Sequence, residues 1–231
     1  MLLLSLDTSI RGCSVALHAD AVLLANYELN TDRSSSAMLT TLMKGAVENA
    51  GYKLSDLDAI AVAKGPGSYT GLRVGVSTAK GLCYALDKPL IAVNTLEAMS
   101  LQVIPFFSEN MLFCPMIDAR RMEVYASVFN SQNEMIRSTE AVIMDETSFV
   151  DLLRDHKIVF FGDGAAKCKA LLSPNPNAIF LNEEIRPAAR TVGKLAADAF
   201  AENRFEDLAS FEPYYLKDFM TPPSRKAALI V

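Results

Sequence analysis

The sequence predicts an α/β fold with two lobes that share one order of strands and helices. Three observations indicate it. Short apolar segments of strand character alternate with longer segments whose apolar residues recur at helical spacing. The order strand–strand–strand–helix–strand–helix–strand–helix occurs once in residues 1–104 and again in residues 105–231. An aspartate, Asp7 or Asp118, follows the first predicted strand of each repeat.

The first repeat opens with predicted strands at residues 2–6, 13–17 and 22–29, and their short connections favour an antiparallel meander. The run Ser34-Ser35-Ser36 offers an N-cap for a helix over residues 34–50. The remaining predicted elements are a buried strand at 59–63, a helix at 72–86, a strand at 90–93 and a helix from 94 or 95 to about 103.

The second repeat has the same order. Its predicted strands are residues 113–117, 123–129, 135–144, 157–161 and 178–181, and its predicted helices are residues 145–154, 165–172 and 188–203. Paired lobes of order βββαβαβα, each with an aspartate after its first strand, are typical of the actin-like ATPase (ASKHA) fold, in which two ribonuclease-H-like lobes face each other. We therefore assign residues 1–104 to an N-terminal lobe and 105–231 to a C-terminal lobe, and expect the last helix and tail to pack back on the first lobe.

Composition narrows the classes of function. Half of the 231 residues are apolar and the net charge is −5, so the chain should bury a core and bind nucleic acid poorly by itself. The four cysteines lie far apart without a CxxC pair, which predicts free thiols in a reducing cytoplasm. The apolar N-terminus stops at Asp7, too soon for a signal peptide or a membrane span.

Two turns are candidate nucleotide sites. Asp7, Thr8 and Ser9 could hold a magnesium phosphate, or form an Asx-turn that only closes a hairpin. Asp118 and the turn Gly162-Asp163-Gly164 could approach the phosphates or adenosine of ATP or ADP at a helix N-terminus. The alternative for the second turn is that glycine only permits a sharp passage from strand to helix.

The densest run of glycines lies in residues 65–75. It is not a Walker loop, because GxxxxGK[ST] is absent. At helical spacing Gly71, Gly75, Thr78, Ala79 and Leu82 share one face, which favours close packing over a phosphate cradle. The neighbour that packs there is either the 34–50 helix of the same lobe or a helix of another protein.

No catalytic or metal-binding residue is predicted. The chain has two histidines and no HxxxH, HExxH or Cys/His cluster, and no charged base lies near Ser68, Tyr69 and Thr70. Arg120 and Arg121, beside Asp118, could clamp a phosphate or a partner's carboxylate, or could lie solvated in a hairpin turn.

The chain resembles the TsaB (YeaZ) family over nearly its whole length. The segments that carry the resemblance are, in chain order, 6–9 (LDTS), 13–17 (CSVAL), 65–75 (GPGSYTGLRVG), 118–120 (DAR), 123–125 (EVY), and Pro213 with Tyr215 and Leu216. One departure concerns a histidine that family members often carry before the first helix. This chain has Arg33-Ser34-Ser35-Ser36 there, so no role of that histidine carries over.

The resemblance implies a non-catalytic partner of the TsaD threonylcarbamoyltransferase, which forms N6-threonylcarbamoyladenosine at tRNA position 37. It implies pairing with TsaD through the first-lobe helices, an ATPase (TsaE) that joins the assembly, and contact with tRNA through the complex. No cofactor is expected to be required by this chain, although ATP or ADP with magnesium could bind weakly or at the complex interface. Without the partner, the same surface predicts an isologous homodimer. The interface residues we expect are Met38, Leu39, Leu42, Met43, Gly71, Arg73, Gly75, Thr78, Ala79 and Leu82.

Two other functions compete. An active small-molecule kinase or ATPase would use the cleft aspartates with ATP and magnesium. A metallopeptidase would need a metal or a nucleophile with its base, and the sequence contains no motif for either.

Overall fold

The computed structural model describes residues 1–31 and 35–217 of the chain. Ten strands form two five-stranded sheets in this part of the chain. The strands are β1 Leu2–Asp7, β2 Cys13–Ala19, β3 Val22–Leu29, β4 Ala59–Gly65, β5 Leu90–Asn94, β6 Met111–Asp118, β7 Glu123–Phe129, β8 Met135–Ile143, β9 Lys157–Phe161 and β10 Ala178–Phe180. The helices are α1 Ser35–Glu48, α2 Tyr69–Leu86, α3 Thr95–Ser100, α4 Val150–Asp155, α5 Ala165–Leu172 and α6 Ala189–Ala201.

The two sheets have one topology. The first has the order β3-β2-β1-β4-β5 and the second β10-β9-β6-β7-β8, so each lobe places its own strands in the order 3-2-1-4-5. In each lobe the first three strands pair antiparallel and the last two join in parallel. The predicted fold of two ribonuclease-H-like lobes, with order βββαβαβα in each, is confirmed.

Local hydrogen bonds set the two helix starts that differ most from the prediction. α2 begins at Tyr69 rather than at 72, because the Ser68 side chain caps it and accepts from the Gly71 amide at 3.4 Å. α4 begins at Val150 rather than at 145, because Asp145 accepts hydrogen bonds from Thr147 and closes a turn instead. The predicted cap at Ser34 lies outside the described residues.

The first sheet is covered on both faces. One face packs on α1 and α2 through a core that includes Leu39, Val47 and Val76. The other face packs on α6, where Val192 and Ala196 contact the small side chains of β4. α6 therefore belongs structurally to the first lobe, although it follows the second sheet in the chain.

The residues after α6 continue along the first lobe. Glu206 pairs with Leu90 in an isolated bridge, and Lys80 of α2 donates to the carbonyl oxygen of Phe211 at 2.8 Å. The Tyr214 amide donates to the Lys64 carbonyl oxygen at 2.8 Å, and the Tyr215 ring stacks on Tyr69 with ring centroids 4.7 Å apart. This tail segment, residues 204–217, fastens the outer edge of β5 and the start of α2.

α3 joins the lobes. Leu96 and Met99 of α3 share a core with Phe113 and Phe161 of the second sheet. Asn94, which caps α3, donates from Nδ2 to the Thr139 hydroxyl of β8 at 2.9 Å.

All four cysteines are buried free thiols, as predicted, and burial raises the pKa of Cys83 to about 12. Within the residues that the structure describes, no helix is both long enough and apolar enough to cross a membrane.

Candidate functional site

The first candidate nucleotide turn is closed by its own hydrogen bonds. Asp7 is 2% exposed, and its Oδ1 accepts from the amide of Ser9 at 2.8 Å and from the Ser9 hydroxyl at 2.7 Å. The Thr8 hydroxyl donates to the Gly71 carbonyl oxygen at 2.7 Å, and the Ser9 carbonyl oxygen accepts from the Ser68 amide at 2.6 Å. The bond from the Ser9 amide to Asp7 forms the Asx-turn. The hydroxyls of Ser9 and Thr8, which a phosphate would use, both donate within the chain.

The second oxygen of Asp7 has no such partner. Oδ2 is buried without a hydrogen-bond partner among the described residues. Burial raises the pKa of Asp7 to about 6, and the two hydrogen bonds from Ser9 oppose that rise. A shallow pocket of about 290 Å³, including its solvent-open part, lies beside Asp7 between the β1–β2 turn and Arg186. A ligand that donates a hydrogen bond or carries positive charge would satisfy this oxygen. Binding of a nucleotide or magnesium ion here stays a prediction.

The glycines of residues 65–75 serve a contact within the chain. A Cβ at Gly67 would overlap the Ser9 backbone, a Cβ at Gly71 would overlap the Thr8 carbonyl oxygen, and a Cβ at Gly75 would overlap the Thr8 hydroxyl. The prediction of close packing is confirmed, and the packing is within the first lobe. The face of α2 that bears Gly71 and Gly75 lies against Thr8 of the β1–β2 turn, rather than against α1.

Burial corrects part of the predicted interface. Leu39 and Ala79 are fully buried, Met43 is 4% exposed and Gly75 is buried, so none of these four can contact a partner. Their side of α1 and α2 faces the first sheet, because the apolar stripe must cover the core. Met38 and Arg73 are exposed, while Leu42, Gly71, Thr78 and Leu82 are half-buried. An interface role for these six stays a prediction.

The second candidate nucleotide turn is also engaged internally. Lys167 of α5 pairs with the carboxylate of Asp118, and the Arg120 amide donates to the same carboxylate at 2.8 Å. Burial alone would raise the pKa of Asp118, but the hydrogen bonds and the charge of Lys167 outweigh it and lower that pKa. Asp163 accepts from the Asp118 amide at 2.9 Å, and desolvation raises the pKa of Asp163.

The glycines of this turn again permit a close approach. Gly162 has φ of 96°, and a Cβ at Gly164 would lie 2.9 Å from the carbonyl carbon of Ile117. The Gly164 amide donates to the Met116 carbonyl oxygen at 3.1 Å, which binds the turn to β6. The structure thus gathers Asp118, Gly162, Asp163 and Gly164 at one edge of the second sheet. Nucleotide contact at this edge stays a prediction.

Sequence reasoning missed Lys167. Its Nζ donates to the carbonyl oxygens of Arg121 at 2.9 Å and Glu123 at 2.6 Å, besides pairing with Asp118. No local pattern marks a lysine in the first turn of α5 as a partner for a hairpin more than 40 residues earlier. Lys217, which pairs with Glu123 from the tail segment, was missed for the same reason.

Comparison with known proteins gives matches over nearly the whole chain. A family model described as TsaD, tRNA N6-adenosine threonylcarbamoyltransferase, matches residues 23–231. The tRNA threonylcarbamoyladenosine biosynthesis protein TsaB of Haemophilus influenzae is 30% identical over 240 aligned residues, covering 95% of this chain and 94% of that protein. TsaB of Escherichia coli K12 is 29% identical, and the alignment covers 94% of this chain and 95% of that protein.

Coverage separates TsaB from TsaD. The tRNA N6-adenosine threonylcarbamoyltransferase of Anaplasma phagocytophilum is 38% identical over 114 residues, but the match covers 43% of this chain and 33% of that enzyme. The solved structure of YeaZ from Pseudomonas aeruginosa superposes with a TM-score of 0.78 at 27% identity, covering 93% of this chain and 99% of that one. The chain belongs to the TsaB (YeaZ) family of tRNA threonylcarbamoyladenosine biosynthesis proteins.

Proposed function

We propose that this chain acts as a non-catalytic partner of a TsaD-like threonylcarbamoyltransferase in forming N6-threonylcarbamoyladenosine at tRNA position 37. The observation that carries the proposal is the internal use of both strand-end turns. In the first lobe, the hydroxyls of Thr8 and Ser9 donate hydrogen bonds to groups of the same lobe. In the second lobe, Lys167 forms an ion pair with the Asp118 carboxylate. A kinase of this architecture needs those groups turned toward a magnesium nucleotide.

The placement of the metal-ligating side chains also argues against a metallopeptidase. In residues 1–31 and 35–217, no three His, Cys, Asp or Glu side chains are placed to hold one metal ion. A catalytic zinc needs three protein ligands and an open position.

The docking site we propose is the outer face of α1 and α2, formed by Met38, Leu42, Val74, Thr78 and Leu82. Met38 is 39% exposed, and Leu42, Val74 and Leu82 are half-buried against the first-lobe core. An apolar strip with rigid support is suited to a helical partner surface. In the proposed assembly, a TsaE-like ATPase joins this chain and the TsaD-like transferase. The assembly is cytoplasmic, and this chain contacts tRNA through the complex. A second copy of this chain would occupy the same face when the transferase is absent.

The decisive experiment is reconstituted threonylcarbamoyladenosine formation with the TsaD-like transferase, its ATPase partner and tRNA. Omitting this chain should reduce product to background, and Leu42→Arg should do the same with loss of transferase capture. Thr40→Arg, on the exposed opposite side of α1, is the matched control and should retain activity.

Asp118→Asn distinguishes the competing function. A scaffold should keep most activity with this variant, because the contacts of the carboxylate among the described residues, with the Arg120 amide and Lys167, are internal to the second lobe. An active kinase or ATPase would lose turnover, and that result, or full product without this chain, would overturn the proposal. This chain should require no cofactor, so partner capture should proceed without ATP, ADP or magnesium, and weak binding of these at the complex interface stays a prediction.

A further inference from the structure

The β6–β7 hairpin carries two adjacent arginines in an unfavourable backbone conformation. Arg120 has φ of 69° and Arg121 has φ of 51°. Residues other than glycine and asparagine rarely adopt this left-handed backbone conformation, and two such residues in succession cost free energy at a hairpin tip. Such a conformation persists where the surrounding structure enforces it, and it concentrates at functional sites.

The surroundings do enforce it here. Lys167 donates to the Arg121 and Glu123 carbonyl oxygens from one side of the hairpin, and the Asp118 carboxylate accepts from the Arg120 amide. The hairpin backbone is therefore fixed from α5, outside the hairpin itself. A tip held in this way presents its side chains without a further loss of backbone entropy on binding.

Among the described residues, the carboxylates of the hairpin pair with lysines rather than with the two arginines. Asp118 pairs with Lys167 and Glu123 pairs with Lys217. Arg120 lies close enough to Asp118 to help lower its pKa, yet in the described part of the chain neither Arg120 nor Arg121 forms an ion pair. Both residues are exposed. Among the described residues of this cluster, the cations are Arg120, Arg121, Lys167 and Lys217, and the carboxylates are Asp118, Glu123 and Asp163. These four cations and three carboxylates lie in a chain whose net charge is −5.

An aromatic ring lies beside the cations. Tyr125 is half-buried on β7. Burial raises its pKa, the charge of Glu123 adds to that rise, and the positive charges of Lys217 and Arg120 oppose it. Guanidinium forks match phosphate oxygens, and an adjacent tyrosine is a surface for an unpaired base or a ribose. An acidic protein segment would use the guanidinium groups but would gain less from the ring.

We infer that the tip of the β6–β7 hairpin, through Arg120 and Arg121, binds the phosphate backbone of RNA. The inference rests on the proposed function, since tRNA is the RNA that a TsaB-family complex would present. It gives an acidic chain one local point of contact with a polyanion, and it does not require that the chain alone bind RNA tightly.

The test is fluorescence anisotropy of an unmodified, labelled tRNA transcript with the full chain, at about 50 mM and about 200 mM salt. The key variant is Arg120→Asn with Arg121→Gly, which supplies the residues that a left-handed hairpin tip prefers. It should unfold at the same or a higher temperature than the wild type, yet bind tRNA about tenfold more weakly. Its slope of log affinity against log salt should fall in magnitude by about 1 to 2, as expected when two phosphate contacts are lost.

Two further variants complete the design. Arg154→Gln with Lys157→Gln removes two exposed cations beside the start of β6, at the opposite end of that strand from the hairpin. This variant should leave tRNA binding unchanged. Arg120→Lys with Arg121→Lys keeps the charge without the planar fork and should retain most of the salt slope.

Several results would overturn the inference. One is no tRNA binding by the wild type even at the lower salt. Another is equal tRNA binding by the wild type and the Asn–Gly variant. A third is displacement of tRNA by ATP, together with loss of ATP binding in that variant. Unchanged tRNA binding with lost transferase capture would instead assign the arginines to an acidic protein surface. The docking variant Leu42→Arg should bind tRNA normally, so failure of the scaffold proposal remains separable from failure of this one.

Discussion

At the scale of single residues, the contact of Gly71 with Thr8 determines how closely α2 approaches β1. A Cβ at position 71 would overlap a backbone carbonyl oxygen, which cannot rotate away as a side chain can. Gly71→Ala should therefore lower the free energy of unfolding by about 1 to 3 kcal/mol, the usual cost of overpacking. Urea denaturation monitored by circular dichroism measures the difference between the variant and the wild type.

Gly81 of the same helix is the matched control for that substitution. It has no atom outside its own helix within 4 Å of an added Cβ, and it is exposed. Gly81→Ala should raise the free energy of unfolding by about 0.5 to 1 kcal/mol, because alanine is the better helix former. Two effects of the same sign would show that the Thr8 contact does not exclude a side chain at Gly71.

Asp7 makes a prediction about pH. Its pKa is about 6 in the fold against an ordinary value of 3.8, so between these values the native state binds more protons than the unfolded state. Stability contributed by this residue must then fall as pH rises through that window. Asp7→Asn removes the titration, so its unfolding free energy relative to wild type should increase by about 2 to 3 kcal/mol from about pH 4 to about pH 7.

Urea denaturation at a series of pH values measures this change, and the pH dependence of the difference is independent of any constant cost of the buried amide. A difference that stays constant with pH would mean that Asp7 titrates near its ordinary range. The same carboxylate would then be solvated or bound to a cation in solution.

At the scale of elements, strand content could be predicted because an apolar run bounded by turn residues depends only on nearby sequence. Val22–Leu29 and Glu123–Phe129 appear with the bounds that the pattern indicates. Helix starts were less predictable, since Ser68 and Asp145 decide them through side-chain hydrogen bonds that several nearby hydroxyls could have made.

The neighbours of an element were least predictable. Helical spacing shows that Gly71 and Gly75 share a face, but it cannot show that this face meets Thr8, more than 60 residues earlier. The same limit applies to Lys167, whose three partners all lie in the β6–β7 hairpin. Long-range contacts of this kind depend on how the sheet is assembled, and a single sequence does not encode them in a local pattern.

At the scale of the whole molecule, the two lobes are interlocked by the path of the chain. α3 leaves the first sheet and packs on the second, while α6 leaves the second sheet and covers the first. The tail segment then crosses the first lobe and reaches Glu123 of the second through Lys217. Each lobe therefore depends on a helix encoded in the other half of the chain.

This interlocking predicts that residues 1–104 cannot fold alone. Without α6 the apolar side chains Leu3, Ile91 and Val93 would lose the cover of Val192 and Ala196, and one face of the sheet would meet water. The fragment should show no cooperative urea transition and little amide dispersion by NMR, and a synthetic peptide of residues 186–217 added in excess should restore both. A matched peptide with Gly193→Val should fail, because its side chain would overlap the His18 ring under α6. Cooperative unfolding of the fragment without any peptide would contradict the dependence of the first lobe on α6.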